Sequence, residues 1–196
     1  MIENRRFSPG ERINVEKLTE ELGVSRTPIW QAVGMLEKEG MLVSSPYKGV
    51  SINTLSPEQA ISLYSVRENL ECMVAGLAVE HIDDQTLARL KRHLAAQERI
   101  ISSPVDLIEY SKLDFGFHSE IYQSTKNEYL IEVLDFIKNK MRPLVSSLDK
   151  ILPELYQDHL DIYNALATHD ADSARAGFCK HNARMKDFIL TQNLPD

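Results

Sequence analysis

The chain of 196 residues is 43% hydrophobic and 26% charged, the proportions of a folded protein of one or two domains with a real core. Nowhere does it approach the roughly 20 uninterrupted apolar residues of a membrane span, and its opening, MIENRRFSPGERI, has no apolar core to serve as a secretory signal. The net charge of −7 is uneven: residues 1–54 hold seven Lys/Arg and seven Asp/Glu, residues 55–196 hold 15 and 22, so a small neutral reading unit on an acidic body is allowed while non-specific nucleic-acid binding by the whole surface is not.

Along the chain, Asn14 can cap a short helix over Val15–Leu22 that Gly23 ends. Ser25 caps a second helix, with Pro28 tolerated in its first turn. That helix keeps Ile29, Val33 and Leu36 on one face and stops at Gly40. The segments MLVSS, PYKG and VSIN then read as strand, turn and strand, a hairpin. This order is that of a winged helix-turn-helix. In that motif the first residues of the second helix meet base edges and nearby polar groups fix phosphates. Ser25, Arg26, Thr27 and Gln31 are the residues in that place, and Arg26 can pair with guanine or phosphate. Lys48 at the wing tip can reach a phosphate, and Gly49 lets backbone approach closely.

A joint is expected near Asn53–Ser56, dividing the chain into residues 1–54 and 55–196. The second part reads as helices throughout. SPEQ at Ser56–Gln59 is a capping box with proline at the first helical position. Further starts stand at Asp84, Pro104, Asn127, Pro153 and Asp170, giving about six helices and a mainly α protein. Helical spacing relates Leu87, Leu90, Leu94 and Ile101 in one segment, and Leu130, Val133, Leu134 and Ile137 in another. The two cysteines, Cys72 and Cys179, form no CxxC pair and fit a reduced, cytoplasmic setting.

The histidines separate by helical face. In LDFGFHSEIY, Asp114 and His118 are four apart, among Leu107, Tyr110, Phe117 and Ile121. His159 centres among Leu152, Leu155, Ile162, Tyr163 and Leu166, and His181 among Ala174, Gly177, Phe178, Met185 and Phe188. His93, by contrast, shares its face with Arg89 and Gln97, which reads as solvent; His169 and His81 stand at helix ends. Ionisable groups on inward faces must be satisfied, because leaving a neutral polar group unpaired costs about 2–7 kcal/mol. One divalent metal would satisfy Asp114, His118, His159 and His181 together; imidazole and carboxylate suit Zn first, with Ni, Mn or Fe open. The alternative is a hydrogen-bonded polar cluster, or unrelated core histidines.

Residues 7–52, SPGERI followed by LTEELGVSRTPIWQAVGMLEKEGMLVSSPYKGVSI, resemble the winged-helix domain of GntR-family bacterial transcription regulators. The resemblance implies DNA binding by Arg26, Thr27, Lys48 and Gly49. Trp30 departs from the family's usual arginine and Gln31 from its glutamate, so sequence preference should differ and affinity be lower. The family has a fuller first helix before PGER; here MIENRRF precedes it, so the domain is either abbreviated or begins upstream. Further on, DFGFH, QDHLDIYNAL and ARAGFCKHNARM are similar to the FCD-type effector domain of many such regulators, the FadR-like subfamily. Its DxxxH and two later histidines fall on Asp114, His118, His159 and His181. This implies an antiparallel bundle holding a metal, a pocket for a small carboxylate, and a homodimer. Arg67, inward with Leu63, Leu70, Val74 and Leu77, is the effector-contact candidate, against a plain pairing with Glu71; Arg142 is the weaker one.

The expectation is therefore a repressor, not an enzyme. Two copies would read a pseudo-palindromic double-stranded operator, and an organic acid bound near the metal would repack the helices beside Ser56. A metal-dependent hydrolase and a direct metal sensor are the rivals, the first weakened because Glu120 projects off the metal face.

Overall fold

A computed structural model describes residues 7–102 and 105–191, with backbone alone for 143–147. Among the described residues the order is β1 (Arg12–Ile13), α1 (Val15–Leu22), α2 (Arg26–Lys38), β2 (Leu42–Ser45), β3 (Gly49–Ile52), then α3 (Pro57–His81), α4 (Asp84–Ile101), α5 (Leu107–Ser124), α6 (Glu128–Met141), a 3-10 segment (Arg142–Ile151), α7 (Leu152–Ala167) and α8 (Ala171–Thr191). The protein is mainly α, with six α-helices after the hairpin among the described residues. None is long and apolar enough to cross a membrane. The expected start at Pro104 lies outside the described residues; α5 is instead capped by Asp106, whose carboxylate accepts from the Ile108 and Glu109 amides.

Local chemistry sets the other boundaries. Asn14 accepts from the Lys17 amide, and Gly23 ends α1 at φ 64°, a backbone region closed to most side chains. Ser25 stands at the start of α2 without a side-chain cap bond. Ser56 and Gln59 close the reciprocal capping box of α3. The hairpin is joined by a third strand, giving the order β1–β3–β2 with Ile13 opposite Val50 and Ser44 opposite Val50 on the other side. β1 has only two residues, too short to show a period-2 pattern. Ile13, Ile29, Val33, Leu42, Val50 and Ile52 bury the space between the sheet and α2.

Helices α3–α8 enclose a separate interior. One cluster gathers Val74, Leu90, Phe117, Ile121, Leu134, Ile162 and Phe178; another gathers Tyr64, Tyr110, Ile137, Leu152, Leu155 and Met185. Gly177 lets α8 lie against α7: a Cβ there would stand 2.8 Å from the Ile162 side chain. One expectation fails on α6. Val133 is 46% exposed and aligns outward with Tyr129 and Phe136, while Leu130, Leu134 and Ile137 face in. α6 also meets the N-terminal unit. The Asn53 amide nitrogen donates to the Lys140 carbonyl at 3.4 Å, and Lys140 and Phe136 pack on Gly40.

Candidate metal centre and DNA-reading surface

α5 brings Asp114 and His118 inward one turn apart, and α7 and α8 bring His159 and His181 opposite them. One ligand atom from each of the four lies within 4.8 Å of all the others. Donors held at about 2.1 Å from a common ion stand roughly 3–4.2 Å apart, so a small contraction would close the set. The three imidazoles are 0%, 0% and 2% exposed, so bulk water does not reach them.

Their hydrogen bonding shows what is left over. His159 Nδ1 faces the Gln97 side-chain oxygen at 2.9 Å. That acceptor fixes the proton on Nδ1 and leaves the Nε2 lone pair pointing away. Nε2 is buried without a partner and meets Asp114 Oδ1 at 3.4 Å. A lone pair and a carboxylate oxygen facing each other repel unless a cation or a proton stands between them. His181 Nδ1 is likewise buried and unpartnered. His118 has Nδ1 3.2 Å from Glu71 Oε1 and Nε2 3.9 Å from Asp114 Oδ1, so its Nε2 is the atom turned towards the others. Orphaned nitrogens, a carboxylate and imidazole-orienting acceptors are what a divalent metal requires, and the residues fit one.

Electrostatics agree in direction. Burial holds His159 down to about 3. Burial, then Arg67 and His159, hold His118 well below the usual imidazole range; burial, then His159 and His118, do so for His181. All three are therefore neutral at pH 7, the form that binds metal. Burial pushes Asp114 up to about 6, against the opposing pull of Arg67 and Lys138.

A second layer surrounds this cluster. Glu71, 0% exposed, accepts from Arg67 Nε at 3.0 Å, from the Tyr122 hydroxyl and from the Asn182 amide. Arg67 thus makes the expected pair with Glu71, but it does more: its Nη2 lies 3.1 Å from both ring nitrogens of His118. Arg67, Asp114, Lys138 and His181 line a cavity of about 30 Å³ beside Met141 and Met185. That is about the share of one water molecule. Lys138, 5% exposed, donates to the Phe115 carbonyl at 3.2 Å and to Asp135 at 3.3 Å. Arg142 instead stacks over Phe115 at 4.2 Å.

Sequence reasoning missed Gln97, Tyr122, Asn182 and Lys138. The helical wheel puts Gln97 on a solvent face with His93, yet it is 0% exposed because α7 covers it, and His93 is half-buried against Gly116. Glu120 does leave the cluster, pairing with Arg89 at 2.7 Å.

The N-terminal unit presents a different surface. Ser25, Arg26, Thr27, Gln31, Lys48 and Gly49 are all exposed, the first four on or beside the N-terminal turns of α2 and the last two at the hairpin turn. Arg26 is not a free charge; its guanidinium meets Glu16 of α1 at 2.8 Å. Trp30 is 50% exposed on the same helix, and Tyr47 at the wing tip is fully exposed at φ 65°.

A winged helix-turn-helix joined to a helical body is the layout of a DNA-binding regulator. Comparison with known proteins agrees. Residues 1–52 match the family described as bacterial regulatory proteins, gntR family, and residues 62–184 match the FCD domain. The Nta operon transcriptional regulator of Aminobacter aminovorans is 32% identical over 94% of this chain and 87% of its own length. The HTH-type transcriptional repressor RspR of Escherichia coli (strain K12) is 27% identical over 93% and 81%. Among solved structures, E. coli McbR/YncC superposes with a TM-score of 0.86 at 22% identity, covering 98% of this chain and 93% of that one, a likeness of fold. The chain belongs to the GntR family of transcription regulators and carries an FCD effector-binding domain.

Proposed function

We propose that this regulator is a cytoplasmic, homodimeric repressor whose hold on DNA is set by a small carboxylate bound in the helical domain beside a metal, zinc by preference. We place the domain boundary at residues 1–54 and 55–196. Asp114, His118, His159 and His181 would hold the ion, and Ser25, Arg26, Thr27, Gln31, Lys48 and Gly49 would meet the operator. The observation that carries the reading is the pair of buried, unpartnered nitrogens on His159 and His181, beside a cavity that His181, Asp114 and Arg67 line. A bound divalent ion would offer coordination positions to a carboxylate oxygen.

The chain's own residues supply the rest. Arg67 presents a planar donor fork, held in position by Glu71, for the anionic group. Lys138 adds a second buried cation on the cavity wall. A cavity of about 30 Å³ is too small for an organic acid, so an acid binds only an expanded arrangement. Such a ligand necessarily favours one conformation over another, which is the condition for control. Two paths lead towards the DNA-reading unit: the helix beside Ser56, whose Tyr64 and Arg67 line the cavity, and α6. Lys138 lines the cavity, and Phe136 and Lys140 of the same helix press on Gly40.

The test uses duplexes selected in vitro for binding, with the zinc-loaded protein titrated in the presence of acetate, lactate, malate or citrate. At least one acid is expected to weaken DNA binding about 5–150-fold, the usual range of coupling between two sites. If chelation alone switches binding and no acid does, the protein is a metal sensor. Turnover of simple esters or phosphates by the loaded protein would favour a hydrolase.

A further inference from the structure

Away from the Asp/His cluster, the two cysteines of the chain face each other. Cys72 on α3 and Cys179 on α8 are 107 residues apart in sequence, and their sulfur atoms are 3.3 Å apart. Both are free thiols and half-buried, open to a small reagent. They sit beside the contact in which the Asn182 amide donates to Glu71: Cys72 follows Glu71, and Cys179 precedes Asn182 by three residues. Packing alone does not require two cysteines here. A disulfide bond measures about 2.05 Å, so closing the pair needs roughly 1.2 Å of approach, within reach of side-chain torsions on helices already in contact.

We propose that Cys72 and Cys179 form a redox modification site, in which a hydroperoxide converts the thiol pair into an intramolecular disulfide that clamps α3 to α8. In the first step the Cys179 sulfur attacks the distal peroxide oxygen. An S–O bond forms, the O–O bond breaks, and the departing oxygen takes a proton to leave as an alcohol, or as water when the oxidant is hydrogen peroxide. In the second step the Cys72 sulfur attacks the Cys179 sulfur. The S–S bond forms, the S–O bond breaks, and hydroxide leaves with the Cys72 proton as water. Two thiols are oxidised by two electrons and one peroxide is reduced. Burial, with the Cys179 contact adding to it, pushes Cys72 up to about 11, which disfavours it as the first nucleophile. This site stands independently of the metal and effector reading.

The full chain, reduced and then exposed to a small excess of hydrogen peroxide, should lose two alkylatable thiols per molecule. Peptide mapping without reductant should show a Cys72–Cys179 cross-link, with no disulfide-linked dimer on a non-reducing gel. The thermal midpoint should rise by several degrees and return on adding dithiothreitol, because the bridge restricts the unfolded chain. Cys72→Ser and Cys179→Ser, or the alanine variants should serine fail to fold, should each abolish the cross-link and the rise. Two thiols that survive oxidation, conversion only to sulfinic acids, or bridges only between molecules would each overturn the proposal, and those readings need only the unmodified protein.

Discussion

The N-terminal unit and the helical domain arrange polar chemistry in opposite ways. In the first, a core of Ile13, Ile29, Val33, Leu42, Val50 and Ile52 supports side chains that are all solvated, from Arg26 and Gln31 on α2 to Lys48 on the wing. In the second, His118, His159, His181, Glu71 and Arg67 sit inside the protein, at 5% exposure or less. Under the proposed function, the difference follows from the partner each region would meet. A DNA duplex comes to the surface and brings its own charge, so the reading residues need only be presented. A small ligand or an ion would have to be taken out of water, and groups buried in advance, with nitrogens left without partners, suit that task. Substitutions in the helical domain should therefore change folding and binding together, whereas those on the reading surface should separate them.

The largest effect is expected from the proposed metal ligands. His159→Ala should abolish stoichiometric zinc, read by elemental analysis after gel filtration, and should remove the stabilisation that zinc gives the unmodified protein in a thermal scan. Gln97→Leu is the more discriminating change. It leaves all four proposed ligands in place and removes the acceptor that fixes the His159 tautomer. Zinc affinity should fall about 10–100-fold, as for other groups that orient a ligating imidazole. Unchanged affinity in Gln97→Leu would mean that His159 does not bind through Nε2.

Acid sharpens the same contrast. In the metal-free protein the three imidazoles resist protonation, His159 down to about 3, while in the unfolded chain they protonate near 6.5. Between those values the unfolded state binds more protons, so stability falls as pH falls through that window. Asp114, raised to about 6, works in the other direction between roughly 4 and 6 but is one group against three. Urea unfolding at pH 7.5 and 5.5 should show the metal-free protein weaker at the lower pH.

How much of this could be read from sequence depends on whether the information is local. Helix caps such as Asn14, Asn127 and the Ser56–Gln59 box were legible because a cap is settled by three or four adjacent residues. The inward faces of α5, α7 and α8 were legible because several apolar neighbours flank each histidine at helical spacing. Gln97 was not, since its own helix offers Arg89 and His93 on that side and only the packing of α7 covers it. Val133 failed for the converse reason: a wheel cannot show that α6 turns one apolar stripe outward. Lys138 reads as a solvated lysine in any sequence window, and only the approach of α5 buries it.

Packing at the α7–α8 crossing gives the next effect. Gly177→Ala would drive a methyl group to 2.8 Å from Ile162, three residues from His159. Overpacking of this kind costs about 1–3 kcal/mol. It should appear in chemical denaturation as a lower midpoint with an unchanged slope.

The smallest expected effects on stability lie on the reading surface, where it should hardly move. The Arg26–Glu16 pair is about two-thirds exposed on both sides, and such pairs contribute little. Arg26→Ala should therefore leave the thermal midpoint in place while weakening operator binding by about 1–3 kcal/mol if it reads a base. Trp30→Arg tests the neighbouring position in the other direction. Trp30 is the chain's single tryptophan, half exposed on α2 with no charge to offer a phosphate. An arginine there should tighten DNA binding and steepen its logarithmic salt dependence by about 1, the signature of one added phosphate contact. In the unmodified protein the same indole should report the encounter directly, through a change in its fluorescence on adding operator. A spectrum and a salt slope that both stay fixed would mean that α2 does not lie in the groove at this turn, and the reading surface would then have to be sought on the wing.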